Sequence, residues 1–133
     1  MSSVQQDQQR PQQTIKGNVL TARGWVSGHI SFSEKIDDIQ GEPGDPGSNN
    51  AVYILPGFID LHVHGAGGKD TMEAGDAVEV ISRMHAQHGT TSMLATTMTA
   101  PMSDLEAALH ALAGVCQKRS VGSARVLGVH LEG

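Results

Sequence analysis

His62 and His64 are the residues of this 133-residue sequence whose types and spacing first suggest chemistry. They close the segment FIDLHVH (58–64), which alternates as a strand does. Strand residues two apart share a face and stand roughly 6.6 Å apart along it. Two imidazoles can converge from that spacing on one metal ion, at Zn–N lengths of about 2.0–2.1 Å. The same spacing suits two half-buried strand histidines with no ligand, and the pair alone does not choose. GAGG (65–68) follows directly, at the C-terminal strand end where α/β active sites form. A tight turn is the simpler reason for those glycines, and the pattern is too short for a dinucleotide fingerprint.

A second constellation is HLEG at 130–133. By alternation Val126, Gly128, His130 and Glu132 share a face, with Gly128 leaving room inside. Glu132 then falls level with His64, two strands away. Read alone, it is a carboxylate exposed to solvent. The same alternation puts Phe58, Asp60, His62 and His64 on the face toward a barrel interior. Ile59, Leu61 and Val63 face helices on the other side. Asp60 is expected to accept a structural hydrogen bond rather than act as a base. His85, His88 and His110 are expected on solvated helix faces, and His29 has no partner at a useful spacing. Thr96 and Thr97 stand at the mouth of the fold without an assigned role. Cys116 reads as a small buried hydrophobe.

The elements that must position these residues follow from pattern. Residues 1–13 are a Gln-rich tract with little to bury, so disorder is expected there. Residues 14–55 read as a small β domain, loosely alternating and broken by Gly17, Gly24 and Gly28, with GEPGDPGSNN (41–50) as a loop. Residues 56–133 read as β-α-β-α-β. A helix is expected from about Glu73, with Ala77, Val80, Ile81 and Met84 at helical spacing and Gly89 where a C-terminal cap belongs. TTSMLATT (90–97) is a buried strand. Ser103 and Glu106 make a candidate capping box for a helix through Leu105, Leu109, Leu112 and Val115. RVLGVHLEG (125–133) is the last strand. Strands alternating with helices imply parallel pairing. The fold class is therefore α/β, and three parallel strands without a closing helix are expected to be the front portion of a longer protein.

A net charge of −5 cannot neutralise a row of phosphates, which excludes a nucleic-acid partner. No apolar run reaches the roughly 18–20 residues of a membrane helix, and the first residues lack a signal-peptide pattern, so no membrane partner is expected. The single cysteine fits a reducing, cytoplasmic setting.

LPGFIDLHVHGAGG (55–68), HGTTSMLATTMTAP (88–101) and HLEG (130–133) together resemble the N-acetylglucosamine-6-phosphate deacetylases of the amidohydrolase superfamily. The resemblance covers roughly residues 52–133 and implies the first strands and helices of a metal-dependent-hydrolase (β/α)8 barrel, which typically takes about 250 residues, preceded by a small β-sandwich-like segment. It implies metal-dependent hydrolysis of the acetamide of N-acetylglucosamine 6-phosphate to glucosamine 6-phosphate and acetate. It also implies a small-molecule amino-sugar phosphate as partner and a homo-oligomer when full length. Glu132 becomes a metal ligand, and His62 and His64 become ligands of a second metal position. The cofactor is expected to be one or two divalent ions, with zinc first; iron, manganese or cobalt suit the same donors. The general-base aspartate and two further histidines are implied beyond residue 133, so no catalytic residue lies in this chain. The 133 residues alone are thus expected to hold metal weakly or not at all and to turn nothing over. The alternatives are another amidohydrolase, such as a deaminase or cyclic amidase, and a non-catalytic truncated product that folds by association.

Overall fold

The computed structural model describes residues 11–45, 47 and 52–132. Of the Gln-rich tract, residues 1–10 lie outside them, as do 46 and 48–51 of the loop. The chain divides into two compact units, Met1–Pro56 and Gly57–Gly133.

The first unit holds β1 (Gln13–Thr21), β2 (Gly24–Phe32), β3 (Ile36–Pro43) and β4 (Tyr53–Ile54), in the sheet order β3-β2-β1-β4. β1, β2 and β3 form an antiparallel meander, and β4 pairs parallel to β1. The expected loop at 41–50 therefore starts late, because Gly41–Pro43 still pair with β2. Gly17 and Gly28, two of the three glycines that break the alternation, have a shared cause, while Gly24 takes φ 111° where β1 turns into β2. Gly17, Gly28 and Gly41 stand side by side across three strands, and a Cβ at Gly28 would overlap the Gln40 carbonyl. Among the described residues of this unit, the buried apolar ones are Val19 and Ile30.

The second unit begins with β5 (Phe58–Val63), followed by a hairpin of β6 (Gly65–Ala66) and β7 (Lys69–Asp70). A 3-10 turn (Thr71–Glu73), α1 (Ala77–Gln87), β8 (Thr90–Thr96), α2 (Met102–Gln117) and β9 (Arg125–His130) complete it. The sheet order is β5-β8-β9, all parallel, so β8 touches both neighbours. Val63, Val78, Ile81, Met93, Ala95, Leu112, Ala124 and Val126 form its core. Gly67 and Gly68, at φ 62° and 76°, supply the left-handed pair that the two-residue β6–β7 turn requires. Gly89 takes φ 88° just past α1, as its position predicts.

Three details differ from the pattern reading. The helix expected from Glu73 starts at Ala77, because Ala74 and Gly75 adopt φ 57° and 56° and break it. Glu73 instead closes a capping box on Asp70. α2 starts at Met102 with Pro101 in the cap position, and the Ser103 hydroxyl donates to Asp104 rather than capping. The buried face of α1 is Ala77, Val78, Ile81 and Ser82, while Met84 is exposed. A polar residue can occupy that face because the Ser82 hydroxyl donates to the Glu79 carbonyl and its own carbonyl accepts from Ala124 N. Cys116 packs partly buried against the core, and burial pushes its thiol pKa up. No helix among the described residues is long and apolar enough to cross a membrane.

Candidate metal centre

Two strand irregularities bring the chemistry to one end of the parallel sheet. Asp60 pairs with Met93 and Val63 with Ala95, so Leu61 and His62 span the interval that Leu94 alone spans in β8. Unbroken alternation along 58–64 therefore fails at this bulge. On β9, Val126 pairs with Met93 and Gly128 with Leu94, which leaves Leu127 as the extra residue. Val126 consequently joins the core under the helices and does not share a face with Gly128, His130 and Glu132 as simple alternation predicts. A bulge resets the period of two, and nothing in RVLGVHLEG announces it.

His62, His64 and Glu132 meet at the C-terminal ends of β5 and β9. The two imidazole Nε2 atoms are 3.0 Å apart. Glu132 Oε2 lies 3.1 Å from His64 Nε2 and 3.9 Å from His62 Nε2. A point equidistant from atoms at these separations lies about 2.0 Å from each, which matches Zn–N and Zn–O bond lengths of about 2.0–2.2 Å. The group could hold one metal ion, and all three ligands can reach it at once. The side chains of His62 and Glu132 are about half exposed, at 49% and 50%, so water has access to the same point. His64 Nδ1 is buried with no hydrogen-bond partner among the described residues.

The surroundings hold this end of the sheet with short polar clasps. Asp60 Oδ1 accepts from His62 N at 3.1 Å, the acceptor role expected of it. The buried Thr96, at the end of β8, accepts from Val63 N at 2.9 Å through its hydroxyl. The buried Thr97 donates its amide to the His130 carbonyl at 3.1 Å, and its hydroxyl accepts from Glu132 N at 3.2 Å. The threonines thus tie the histidine strand and the glutamate strand to the strand between them. The sequence reading gave them no role, yet the order β-α-β-α-β with β8 in the middle was the signal available. Thr97→Val is expected to lower stability by about 1 kcal/mol, since it keeps the shape and removes one hydrogen-bond acceptor. Denaturant midpoints of the two proteins check this.

Behind the histidines, Thr71 N donates to the His64 carbonyl at 2.8 Å, which fixes the 3-10 turn beneath the strand end. The Glu73 carboxyl is held below the usual carboxylate range, first by the Asp70 backbone N–H and then by the Lys69 ammonium. A lowered folded-state pKa means that this support is present above the ordinary glutamate pKa and is lost as pH falls through the lowered value. Acidification is therefore expected to loosen the turn, seen as a shift and faster exchange of the Asp70 amide. Glu73→Gln should remove that pH dependence.

The other candidate histidines do not join the group. His88 and His110 are exposed, and His110 Nδ1 contacts the Glu106 carbonyl at 2.9 Å. His29 lies in β2 of the first unit. His85 departs from the expected solvated face: its Nε2 is buried without a partner among the described residues.

No protein-family model matches the chain. It is 38% identical over 118 residues to an N-acetylgalactosamine-6-phosphate deacetylase of Escherichia coli O157:H7, covering 86% of this chain and 31% of that protein. To an N-acetylglucosamine-6-phosphate deacetylase of Vibrio furnissii it is 43% identical over 83 residues, 62% of this chain and 21% of that protein. Among solved structures, a mutant N-acetyl-D-glucosamine-6-phosphate deacetylase of Mycobacterium smegmatis, in complex with N-acetyl-D-glucosamine-6-phosphate, matches with a TM-score of 0.69 and 27% identity. That match covers 94% of this chain and 33% of the solved one. The chain spans about a third or less of the length of these relatives. Over most of its own length it is similar to amino-sugar-6-phosphate deacetylases, the resemblance that its strand-end motifs carry.

Proposed function

We propose that these residues form the metal-binding front part of a (β/α)8-barrel amidohydrolase, preceded by a small β domain, that removes the acetyl group of an amino-sugar 6-phosphate in the cytoplasm. The observation that carries this reading is the convergence of His62, His64 and Glu132 on one point at metal-bond distance. Zinc is the first candidate for these donors, and iron, manganese and cobalt suit them too. Such an ion would lower the pKa of a bound water to about 7 and would polarise the amide carbonyl. His62 and His64 supply neutral nitrogen donors, and Glu132 supplies the charge that favours a cation. Their exposed side leaves room for water and for the acetamide. As the resemblance implies, a proton carrier and two further histidines would come from a longer polypeptide that carries this segment. The products are the free amine and acetate. The relatives are named for the glucosamine and the galactosamine substrate, so the acetamide and phosphate are the shared chemistry.

The test compares the 133 residues with a polypeptide in which this segment continues past Gly133. The longer protein should release acetate from one or both amino-sugar phosphates, and the short one should not. Release of ammonia or ring opening of a cyclic amide, with no acetate, would select another amidohydrolase instead. A second reading, association without catalysis, is favoured by the two edge strands, where Phe58, Ile59, Leu61 and Leu127 are half or more exposed. Size-exclusion chromatography separates it: a monodisperse monomer with a cooperative melt contradicts association.

A further inference from the structure

We infer that His130 is a positioning residue for His62, acting through a hydrogen bond to the bulged β5 backbone and through ring contact. The inference rests on the metal-centre reading, to which it adds a residue outside the ligand set. The His130 and His62 rings meet edge to face, with centroids 4.8 Å apart and planes at 70°. His64 meets His62 in the same way, at 4.8 Å and 77°. His62 is therefore held between two rings. His130 Nδ1 also lies 3.2 Å from the Leu61 carbonyl oxygen. A carbonyl only accepts, so Nδ1 must carry the proton and donate.

The bulge explains why that carbonyl needs a donor. Leu61 and His62 are the two residues of β5 that pair with nothing on β8. A peptide left out of the ladder next to a ligand would let the imidazole swing, and polar backbone groups seek partners. His130 supplies one by reaching past β8 from the far strand, with its own carbonyl anchored by Thr97 N. Metal-ligating histidines are ordinarily fixed by a partner behind the ring. The hydrogen bond to Leu61 and the ring contact do that from the side.

Four variants, made in a longer polypeptide that carries this segment, test this: His130→Ala, His130→Asn, His62→Ala, and His130→Ala combined with His62→Ala. Zinc affinity is read by competition with a chromophoric chelator, and imidazole resonances by NMR with and without zinc. His130→Ala should weaken zinc about 10–100-fold, the usual effect of losing a residue that orients a ligand. His130→Asn, which keeps a side-chain N–H at similar reach, should recover a large part of that loss. In the His62→Ala background the His130 substitution should change zinc affinity little, because the residue it positions is gone. Additive losses in that background would overturn the proposal, as would an Asn variant no better than Ala. If wild-type protein gives no zinc response, the metal reading fails. The positioning role is then judged from the zinc-free spectra alone. There, His130→Ala should broaden or split the His62 ring signals and leave those of His110 unchanged; an unchanged His62 signal overturns it. A thermal melt shows whether each variant is folded, and the Asn variant carries the test if Ala is not.

Discussion

In a longer polypeptide carrying this segment, Glu132→Gln is expected to lower zinc affinity by at least about 100-fold, the upper end of what losing a ligand's supporting partner costs, and to remove most acetate release. Gln is nearly the same size, so the loss is one of charge and donor strength. The carboxylate oxygen is the only anionic atom of the three-ligand group. Its backbone clasp to Thr97 Oγ1 is untouched by the change, so the thermal midpoint should move by only a degree or two. His62→Asn should cost less, since it leaves His64 and Glu132 3.1 Å apart. The measurement is metal content after dialysis at fixed free zinc, with turnover alongside it. Wild-type affinity in Glu132→Gln would remove the most specific residue of the proposed centre.

Ile81→Ala is expected to lower stability by about 2–5 kcal/mol, the range for removing a buried Ile side chain down to Cβ. Ile81 is fully buried in the core that joins α1 to the sheet. Domains hold only about 5–15 kcal/mol in total, so this one change consumes a large share. A fall of about 10–30 °C in the thermal midpoint should follow. Met84→Ala is the internal comparison. Helical spacing assigns Met84 to the same face, but at 37% exposure its loss should cost under about 1 kcal/mol. Equal effects at the two positions would mean that the buried stripe of α1 is not the one described.

That comparison shows where the sequence was legible and where it was not. The strands over FIDLHV, TTSMLAT and RVLGVH, the two helices and the turn at GAGG could be read because alternation, helical spacing and glycine placement are local signals. The three side chains that converge, His62, His64 and Glu132, could be named from the motifs at the two strand ends. The face of α1 was not, since Ser82 is buried through a hydrogen bond to Ala124 N, a residue far along the chain. The partners of Val126 were not either, because the extra residue at Leu127 is visible only against β8. His130 and Thr97 were missed for the same reason: their roles exist only once β5, β8 and β9 lie side by side. Residue type tells what a group can donate or accept, and only the third dimension tells to whom.

The clasp between His130 and Leu61 joins residues 69 positions apart in the chain. A ribosome adding about 5–20 residues per second needs roughly 3–14 s to make that stretch. The histidine pair therefore leaves the ribosome well before the ring that braces it and the carboxylate that completes it. During that interval β5 can already pair with β8, while the site itself still holds only the two imidazoles of His62 and His64. The arrival of β9 and the residues after it then brings Glu132 to the pair, so the strand that completes the three-stranded sheet also completes the three-residue group.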